Sequence, residues 1–181
     1  MNKLKSWLEA NKLNPNRSLI YYALFSHLGR AILMVYYCSH KKNRFLKIIV
    51  AKLLRSHYHI EIGCNSIGSF FMLPHPRNII ISAESIGDYV QVNQNVTIGG
   101  NMRKTVIRNN EIQRLPIIGN HVVIYTNSVV GGPCRIGNHV IIGSNSTCTH
   151  DVEDNTLLYN KVGVSSRKIE VQEGTYSYIK E

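Results

Sequence analysis

One histidine in this 181-residue chain stands where an imidazole could act on a substrate. His75 lies between Pro74 and Pro76, and the prolines indicate a turn, so we expect its side chain to project from the surface. The unperturbed pKa of imidazole, about 6.5, suits a general base that takes a proton from an alcohol. A lone histidine is more often structural than catalytic, so spacing alone leaves both interpretations of His75 open.

The element that would position His75 is a repeat of six residues. Its aliphatic or small apolar position recurs at Ile62, Ile80, Ile86, Val92, Ile98, Ile118, Ile124, Val130, Ile136, Ile142 and Cys148. Helices repeat at 3.6 and half-buried strands at 2, whereas a sustained period of six is typical of a parallel β-helix with three short faces per coil. The predicted fold is therefore mainly β, with aliphatic side chains inside and Gly or Asn at left-handed corners.

The repeat is interrupted once. From Ile98 to Ile118 is 20 residues, which is not a multiple of six, so residues 99–117 are predicted to form a protruding polar loop. A loop that leaves a strict repeat is often functional.

The remaining histidines and the cysteines of the repeat carry weaker signals. His121, His139 and His150 occupy outward places, so we expect them at the surface. The cysteines show no metal-ligand spacing, and no metal site is predicted. Cys134 and Cys148 fall at inward positions, which predicts buried thiols and a reducing compartment.

Positive charge is concentrated at one end of the chain. Residues 1–60 hold eleven Lys and Arg and one acid, Glu9, whereas residues 61–181 hold ten of each sign, so the first segment carries the whole net charge of +10. This asymmetry predicts one basic face beside a neutral β-helix. No aromatic–basic motif supports nucleic-acid binding.

Residues 1–60 are predicted to form a basic helical region. Helices are expected over residues 4–13 and 41–57, the second with apolar residues at helical spacing among lysines and arginines. Residues 19–37 are nearly long enough to cross a bilayer, but the central Arg30 would cost roughly 2.5–3.5 kcal/mol there. We expect this segment to pack as a helix on the protein or on another subunit. Contact of the basic helices with an anionic membrane surface is the open alternative.

Three stretches in residues 62–169 resemble the left-handed β-helix acyltransferases, specifically the serine acetyltransferase branch. Phe71-Met72-Leu73-Pro74-His75-Pro76 resembles the segment with that branch's catalytic histidine. Asn95-Val96-Thr97-Ile98-Gly99-Gly100 resembles the run before its extended loop, and Gly163-Val164-Ser165-Ser166-Arg167-Lys168-Ile169 stands where the branch has GVPARIV. The resemblance implies a left-handed coil, acetyl-CoA chemistry and a homotrimer with sites between subunits.

The resemblance also implies roles for individual residues. His75 would be the catalytic base, and Asn93 and Arg114 would contact the substrate. The expected coenzyme A contacts are Gly100, Thr126, Ser144, Gly163, Arg167 and Lys168. Arg167 and Lys168 would meet the phosphates of coenzyme A as charge-assisted partners. The equal alternative is that they only solvate the tail, residues 167–181, which we expect to pack along the coils.

Departures from the branch bear on the acceptor. Pro74 replaces the usual Asp before the histidine, and Arg114-Leu115-Pro116 lacks the loop's Arg-His-Pro histidine, which grips the amino acid. A backbone carbonyl, Glu84 or Asp88 is an alternative partner for His75. These features, with the short basic N-terminal region, resemble exopolysaccharide relatives such as colanic acid acetyltransferases.

We therefore expect transfer of acetyl from acetyl-CoA to a sugar hydroxyl of a surface polysaccharide or its precursor. The alternatives are serine O-acetyltransferase of cysteine biosynthesis and a scaffold without catalysis. The expected location is the cytoplasm, with peripheral contact at the inner face of the membrane left open.

Overall fold

Four helices precede a stack of short parallel strands. The computed structural model describes residues 2–40, 43–102, 104–108, 110–160 and 164–168. The helices are α1 (Lys3–Ala10), α2 (Leu19–Phe25), α3 (His27–His40) and α4 (Arg44–Tyr58). The strands are β1 (Ile60–Ile67), β2 (Ile79–Ile86), β3 (Gln91–Val92), β4 (Thr97–Gly99), β5 (Val106–Arg108), β6 (Glu111–Gln113), β7 (Ile117–Ile118), β8 (Val123–Ile124), β9 (Val129–Gly131), β10 (Arg135–Ile136), β11 (Ile141–Ile142), β12 (Thr147–Cys148), β13 (Thr156–Asn160) and β14 (Val164–Lys168).

The strands form a parallel β-helix of about five coils, which confirms the predicted fold class. Each coil has three faces, named here in chain order. The aligned inward residues are Ile62, Ile81, Ile98, Val130 and Cys148 on face 1; Ile67, Ile86, Ile118, Ile136 and Val152 on face 2; and Leu73, Val92, Ile124, Ile142 and Leu158 on face 3. All of them except Ile62 are buried, so the core is a narrow aliphatic column.

The register of the first two coils differs from the prediction. Ile80 was expected in the core but is 43% exposed, and Ile79 and Ile81 are buried instead. Ile62, also expected inside, is only half-buried. In β1 and β2 the chain passes from face 1 to face 2 within one continuous strand, so Ile81 and Ile86 are five residues apart rather than six. The six-residue register holds from Ile86 onward.

Side-chain columns mark two of the three corners. The corner between faces 3 and 1, called the Asn corner, carries Asn78, Asn95, Asn127 and Asn145, whose side chains are linked in series at 2.9–3.1 Å. The corner between faces 2 and 3, called the ring corner, carries Phe70, Tyr89, His121 and His139, whose rings stack with centroids 4.4–4.7 Å apart. All eight residues have φ between 52° and 61°. Asparagine tolerates this left-handed conformation best among non-glycine residues, which explains its repetition.

The third corner, between faces 1 and 2, carries the predicted protruding loop. Val130 lies 32 residues beyond Ile98, whereas Cys148 lies 18 beyond Val130, so this coil holds 14 extra residues. Part of the insertion is the antiparallel hairpin β5–β6. We call this the hairpin corner.

The helices differ from the prediction in their bounds and, more importantly, in number: α1 ends at Ala10 rather than Leu13, and α4 covers Arg44–Tyr58. Residues 19–37 were expected to form one helix, but α2 and α3 meet at an angle of 117°. Ser26 begins α3, since its Oγ accepts the Gly29 N–H at 3.0 Å. The Arg30 guanidinium donates to the carbonyls of Ala23 and Leu24 at 2.8 and 3.0 Å, which satisfies the free end of α2. Among the described residues no single helix is long and apolar enough to span a membrane, although α2 and α3 pass that test as a bent pair.

Helix α1 covers the open edge of the first coil. Lys3 Nζ donates to the Ile67 carbonyl at 3.1 Å, and Trp7 Nε1 donates to that of Gly68 at 2.8 Å. Asn11 bonds to both Phe71 and Leu73. Because no coil precedes this one, these side chains satisfy backbone groups that strand pairing leaves unpaired.

At the opposite end, β14 pairs antiparallel with β13. Of the predicted tail, residues 167–181, only 167 and 168 are described, as the end of β14. The prediction for the rest of the tail lies outside the described residues.

Candidate functional site

His75 is exposed on the Asn corner of the first coil. Four residues separate Leu73 from Asn78 there, whereas two separate Val92 from Asn95 on the next coil. The extra length forms a tight turn in which the Arg77 N–H donates to the His75 carbonyl at 2.8 Å. Within the described part of the chain, no hydrogen bond or ion pair engages the His75 imidazole. The ring is therefore available to a substrate hydroxyl.

Three other predicted site residues follow His75 along the Asn corner. Asn93 lies on the second coil, and its Oδ1 accepts a hydrogen bond from Gln91 Nε2 at 3.3 Å. Thr126 lies on the third coil and donates through Oγ1 to the Gln94 carbonyl at 3.1 Å. Ser144 is exposed on the fourth coil. With coils about 4.8 Å apart, these residues extend roughly 14 Å from His75 along one edge.

The structure does not bring all the predicted residues together on one corner. Gly100 and Arg114 lie at the base of the insertion, on the hairpin corner. A Cβ on Gly100 would lie 3.5 Å from the Arg114 carbonyl oxygen and 3.3 Å from Leu115 Cδ2, so the two ends of the insertion meet there. Face 1 therefore separates this pair from His75 within one chain.

The remaining three predicted contacts are only partly described. Gly163 lies outside the described residues. The backbones of Arg167 and Lys168 pair with Leu157 and Thr156 in the last coil, and their side chains lie outside the description.

An ion pair fastens the hairpin to the β-helix. Arg108 Nη2 contacts the two carboxylate oxygens of Asp151 at 2.7 and 2.8 Å, and Asp151 also accepts the Arg135 N–H at 2.9 Å. Burial raises the pKa of Asp151, but the bonds from Arg135 and Arg108 outweigh it and hold the pKa below its usual value. Because Arg108 and Asp151 are 43 residues apart, sequence analysis had no signal for this pair.

The two carboxylates suggested as partners of His75 lie at other corners. Asp88 stands at the ring corner, where its Oδ1 accepts the Ser69 N–H at 2.6 Å. The Glu84 N–H donates to the Pro116 carbonyl at 2.9 Å, which places Glu84 beside the end of the hairpin. Neither shares a corner with His75, so both suggestions are wrong for a single chain.

Two residues at this corner were missed by sequence analysis. Asn11 accepts the N–H of Leu73, which lies two residues before His75. Arg77 is an exposed residue two positions after His75. Spacing could have indicated Arg77, since it lies in the same turn as His75. Nothing in the sequence pattern links Asn11 to residue 73.

The other predicted surface and core residues fall largely as expected. His150 is exposed, while His121 and His139 are half-buried in the ring column. Burial lowers the pKa of His121, and the neighbouring His139 lowers it further, although Asp88 opposes both. Cys134 and Cys148 are reduced and buried, as predicted.

Two grooves of the single chain lie among the helices. One of about 470 Å³ is lined by Lys12, Arg17, Tyr21 and neighbours, and one of about 490 Å³ by Leu4, Leu19, Ile20 and neighbours. His75 contacts neither groove.

Comparison with known proteins places the β-helix among hexapeptide-repeat folds. Residues 116–150 match the family model described as Bacterial transferase hexapeptide (six repeats). No curated protein matches the chain by sequence.

Solved serine acetyltransferases share the fold over nearly the whole chain. The Neisseria gonorrhoeae enzyme is 20% identical with a TM-score of 0.68, over 94% of this chain and 66% of that one. The soybean apoenzyme is 20% identical with a TM-score of 0.65, over 91% and 66%. A serine acetyltransferase in complex with CoA is 18% identical with a TM-score of 0.65, over 92% and 68%. The chain thus spans about two thirds of the length of these proteins.

Proposed function

We propose that the chain is an acetyl-CoA-dependent O-acetyltransferase that modifies a sugar hydroxyl of a surface polysaccharide or its precursor. The observation that carries the proposal is the exposed, unengaged His75 on a lengthened corner of a β-helix like that of serine acetyltransferases. Among the described residues the His75 side chain makes no hydrogen bond to another coil, whereas the Asn column beside it links successive coils.

The proposed chemistry is direct transfer with one base. His75 takes the proton of the acceptor alcohol as its oxygen attacks the acetyl carbonyl carbon of the thioester. The C–O bond forms, the C–S bond breaks, and the imidazolium returns the proton to the departing thiolate. The products are the O-acetyl sugar and free coenzyme A.

The Asn corner suits an extended cosubstrate. Thr126 and Ser144 continue along the edge from His75, so a long flexible arm lying there would present its thioester to the imidazole. That a serine acetyltransferase of this fold has been solved with CoA supports the choice of cosubstrate. Gly163, Arg167 and Lys168 at the last coil remain the proposed contacts for the nucleotide end.

The proposal includes a homotrimer. His75 and the Gly100–Arg114 pair lie at opposite ends of face 1, so a single chain cannot present them to one substrate. Packing one chain's Asn corner against the hairpin corner of its neighbour would bring the two sets together. Three such contacts close a ring.

Serine is the second candidate acceptor because the similar structures include a serine acetyltransferase in complex with serine. The sequence at the loop end, Arg114-Leu115-Pro116, lacks the histidine by which that branch holds the amino acid. We therefore place the sugar acceptor first.

The test measures release of coenzyme A thiol from acetyl-CoA by the full chain with free serine, nucleotide sugars and oligosaccharides. We expect His75→Ala to lower turnover at least 100-fold with the fold intact, whereas His150→Ala, a matched exposed histidine, leaves it within twofold. Near-normal turnover by His75→Ala would refute the base. Preference for serine would select the second acceptor, and failure to bind coenzyme A in calorimetry would favour a scaffold.

A further inference from the structure

Helix α4 exposes an apolar stripe that the described residues of the chain do not cover. Phe45 is 75% exposed, Ile48 61%, and Ile49 and Leu53 are 41% and 42% exposed. They occupy positions i, i+3, i+4 and i+8 of one helix face. The opposite face of α4 packs against α3 and β1, where Leu54 and Tyr58 are buried.

Cations lie beside and within this stripe. At about 100° per residue, Arg44 and Arg55 fall along the edge next to Ile48, and Lys52 falls between Ile48 and Phe45. All three are exposed, and α4 contains no acidic residue. Arg55 is 3.1 Å from Glu61, so Arg44 and Lys52 carry the charge that is not balanced locally.

The occupant of this face must satisfy both features. A sugar polymer offers only the small C–H faces of its rings, which could cover Phe45 alone but not the whole stripe from Phe45 to Leu53. A second copy would bring the same cations against the first, because residues 1–60 hold all of the net charge of +10. An anionic bilayer offers acyl chains beneath negative headgroups, which matches an apolar stripe with a cationic border.

We propose that α4 docks the protein on anionic membrane surfaces. The helix axis lies in the membrane plane, the Phe45–Leu53 stripe enters the boundary between headgroups and acyl chains, and Arg44 and Lys52 contact the headgroup phosphates. This docking is independent of the proposed acetyl transfer, since no residue of the Asn or hairpin corner takes part.

The first experiment is flotation of the full chain with vesicles. We expect binding to phosphatidylcholine vesicles that contain 30% phosphatidylglycerol, and at least tenfold weaker binding to phosphatidylcholine alone. At about a factor of five for each basic side chain, Arg44→Gln with Lys52→Gln should weaken binding about 30-fold. Phe45→Asp with Ile48→Asp should abolish it, and raising the salt from about 0.05 to 0.5 M should weaken it several-fold.

A second experiment locates the contact. Trp7 is the only tryptophan and is 0% exposed, so a tryptophan introduced at the surface reports its own surroundings. Phe45→Trp should shift its emission to the blue and be quenched by brominated lipids. Ile107→Trp on the hairpin, where the native side chain is 74% exposed, should change little.

Each other outcome overturns the proposal. These outcomes are equal binding to neutral and anionic vesicles, no binding at all, and an unshifted Phe45→Trp spectrum. Sedimentation would identify one alternative occupant: if Phe45→Asp with Ile48→Asp dissociates an oligomer while the unaltered protein ignores vesicles, a second copy covers the stripe.

Discussion

Asn11 Oδ1 accepts the backbone N–H of Leu73 at 2.7 Å, while Asn11 Nδ2 donates to the Phe71 carbonyl at 2.9 Å. One amide side chain at the C-terminal end of α1 thereby makes two bonds that strand pairing supplies in every later coil. Asn11 is buried, and His75 lies two residues beyond Leu73. The helical region thus holds the strand that leads to the proposed base.

Asn11→Ala should destabilise the protein and loosen this corner. The change leaves a buried N–H and a buried carbonyl unpaired, at a cost of about 1–3 kcal/mol for such a group. We expect a lower free energy of unfolding in urea and faster hydrogen exchange at the Leu73 amide. Asn16→Ala, an exposed asparagine, is the control and should change neither; equal behaviour of the two variants would contradict the assigned role.

Gly87→Ala tests how closely the coils stack at the ring corner. A Cβ there would lie 2.4 Å from Asn120 Oδ1 and 2.6 Å from the Gly119 carbonyl oxygen, closer than atoms approach without displacement. We expect a loss of about 1–3 kcal/mol in the free energy of unfolding. At Gly99 nothing lies within 4 Å of the added carbon, so Gly99→Ala should be tolerated. Equal losses would show that backbone freedom, and not contact, decides the effect.

The ring corner predicts a pH dependence of stability. Since burial and His139 hold the folded pKa of His121 below the unfolded value of about 6.5, the unfolded chain binds more protons as the pH falls past that value. The contribution of neutral His121 to the free energy of unfolding is therefore complete above about pH 6.5 and is lost as the pH falls below that value. Urea unfolding between pH 8 and 5 should show a steeper decline for the native protein than for His121→Asn, which keeps a residue suited to φ 55°. Parallel declines would exclude this column as the source.

The Arg108–Asp151 pair should restrain the hairpin with little effect on overall stability. Its side chains are 33% and 53% exposed, and such pairs contribute about 0–1 kcal/mol. Asp151→Asn should instead speed trypsin cleavage at exposed Lys104 and Arg114, followed by mass spectrometry. Glu61→Gln, which removes the other exposed pair, should leave hairpin cleavage unchanged. An unaltered cleavage rate in Asp151→Asn would mean that the hairpin is held by its backbone pairing alone.

The repeat made the fold predictable because each coil obeys the same packing rule. From Ile86 to Ile98 and again from Ile118 to Cys148, every inward residue was identified by counting in sixes. Counting failed at Ile80, because a strand that runs through a corner shortens the spacing between faces by one residue. Likewise, the apolar content of residues 19–37 suggested one helix, whereas Ser26 and Arg30 create two ends inside it.

The candidate site was less predictable, since it depends on which corner each residue reaches. The two prolines correctly placed His75 at the surface, and the broken repeat correctly placed the hairpin. Whether Asn93 and Arg114 contact the substrate, and Thr126 coenzyme A, stays a prediction. Asn93 and Thr126 lie on the Asn corner and Arg114 on the hairpin corner, and counting along the repeat does not show which residues share a corner. The contact of Asn11 with Leu73 spans 62 residues, so the repeat does not predict it either.

The covering of the first coil by α1 also limits how many chains can join. The first coil of a β-helix has a row of unpaired backbone N–H and C=O groups that would pair with a strand from a neighbouring molecule. Lys3, Trp7 and Asn11 already occupy that row, so the column has a finite length. A protein shortened beyond Asn11 would leave these backbone groups unpaired, and we expect it to associate with other molecules through this edge.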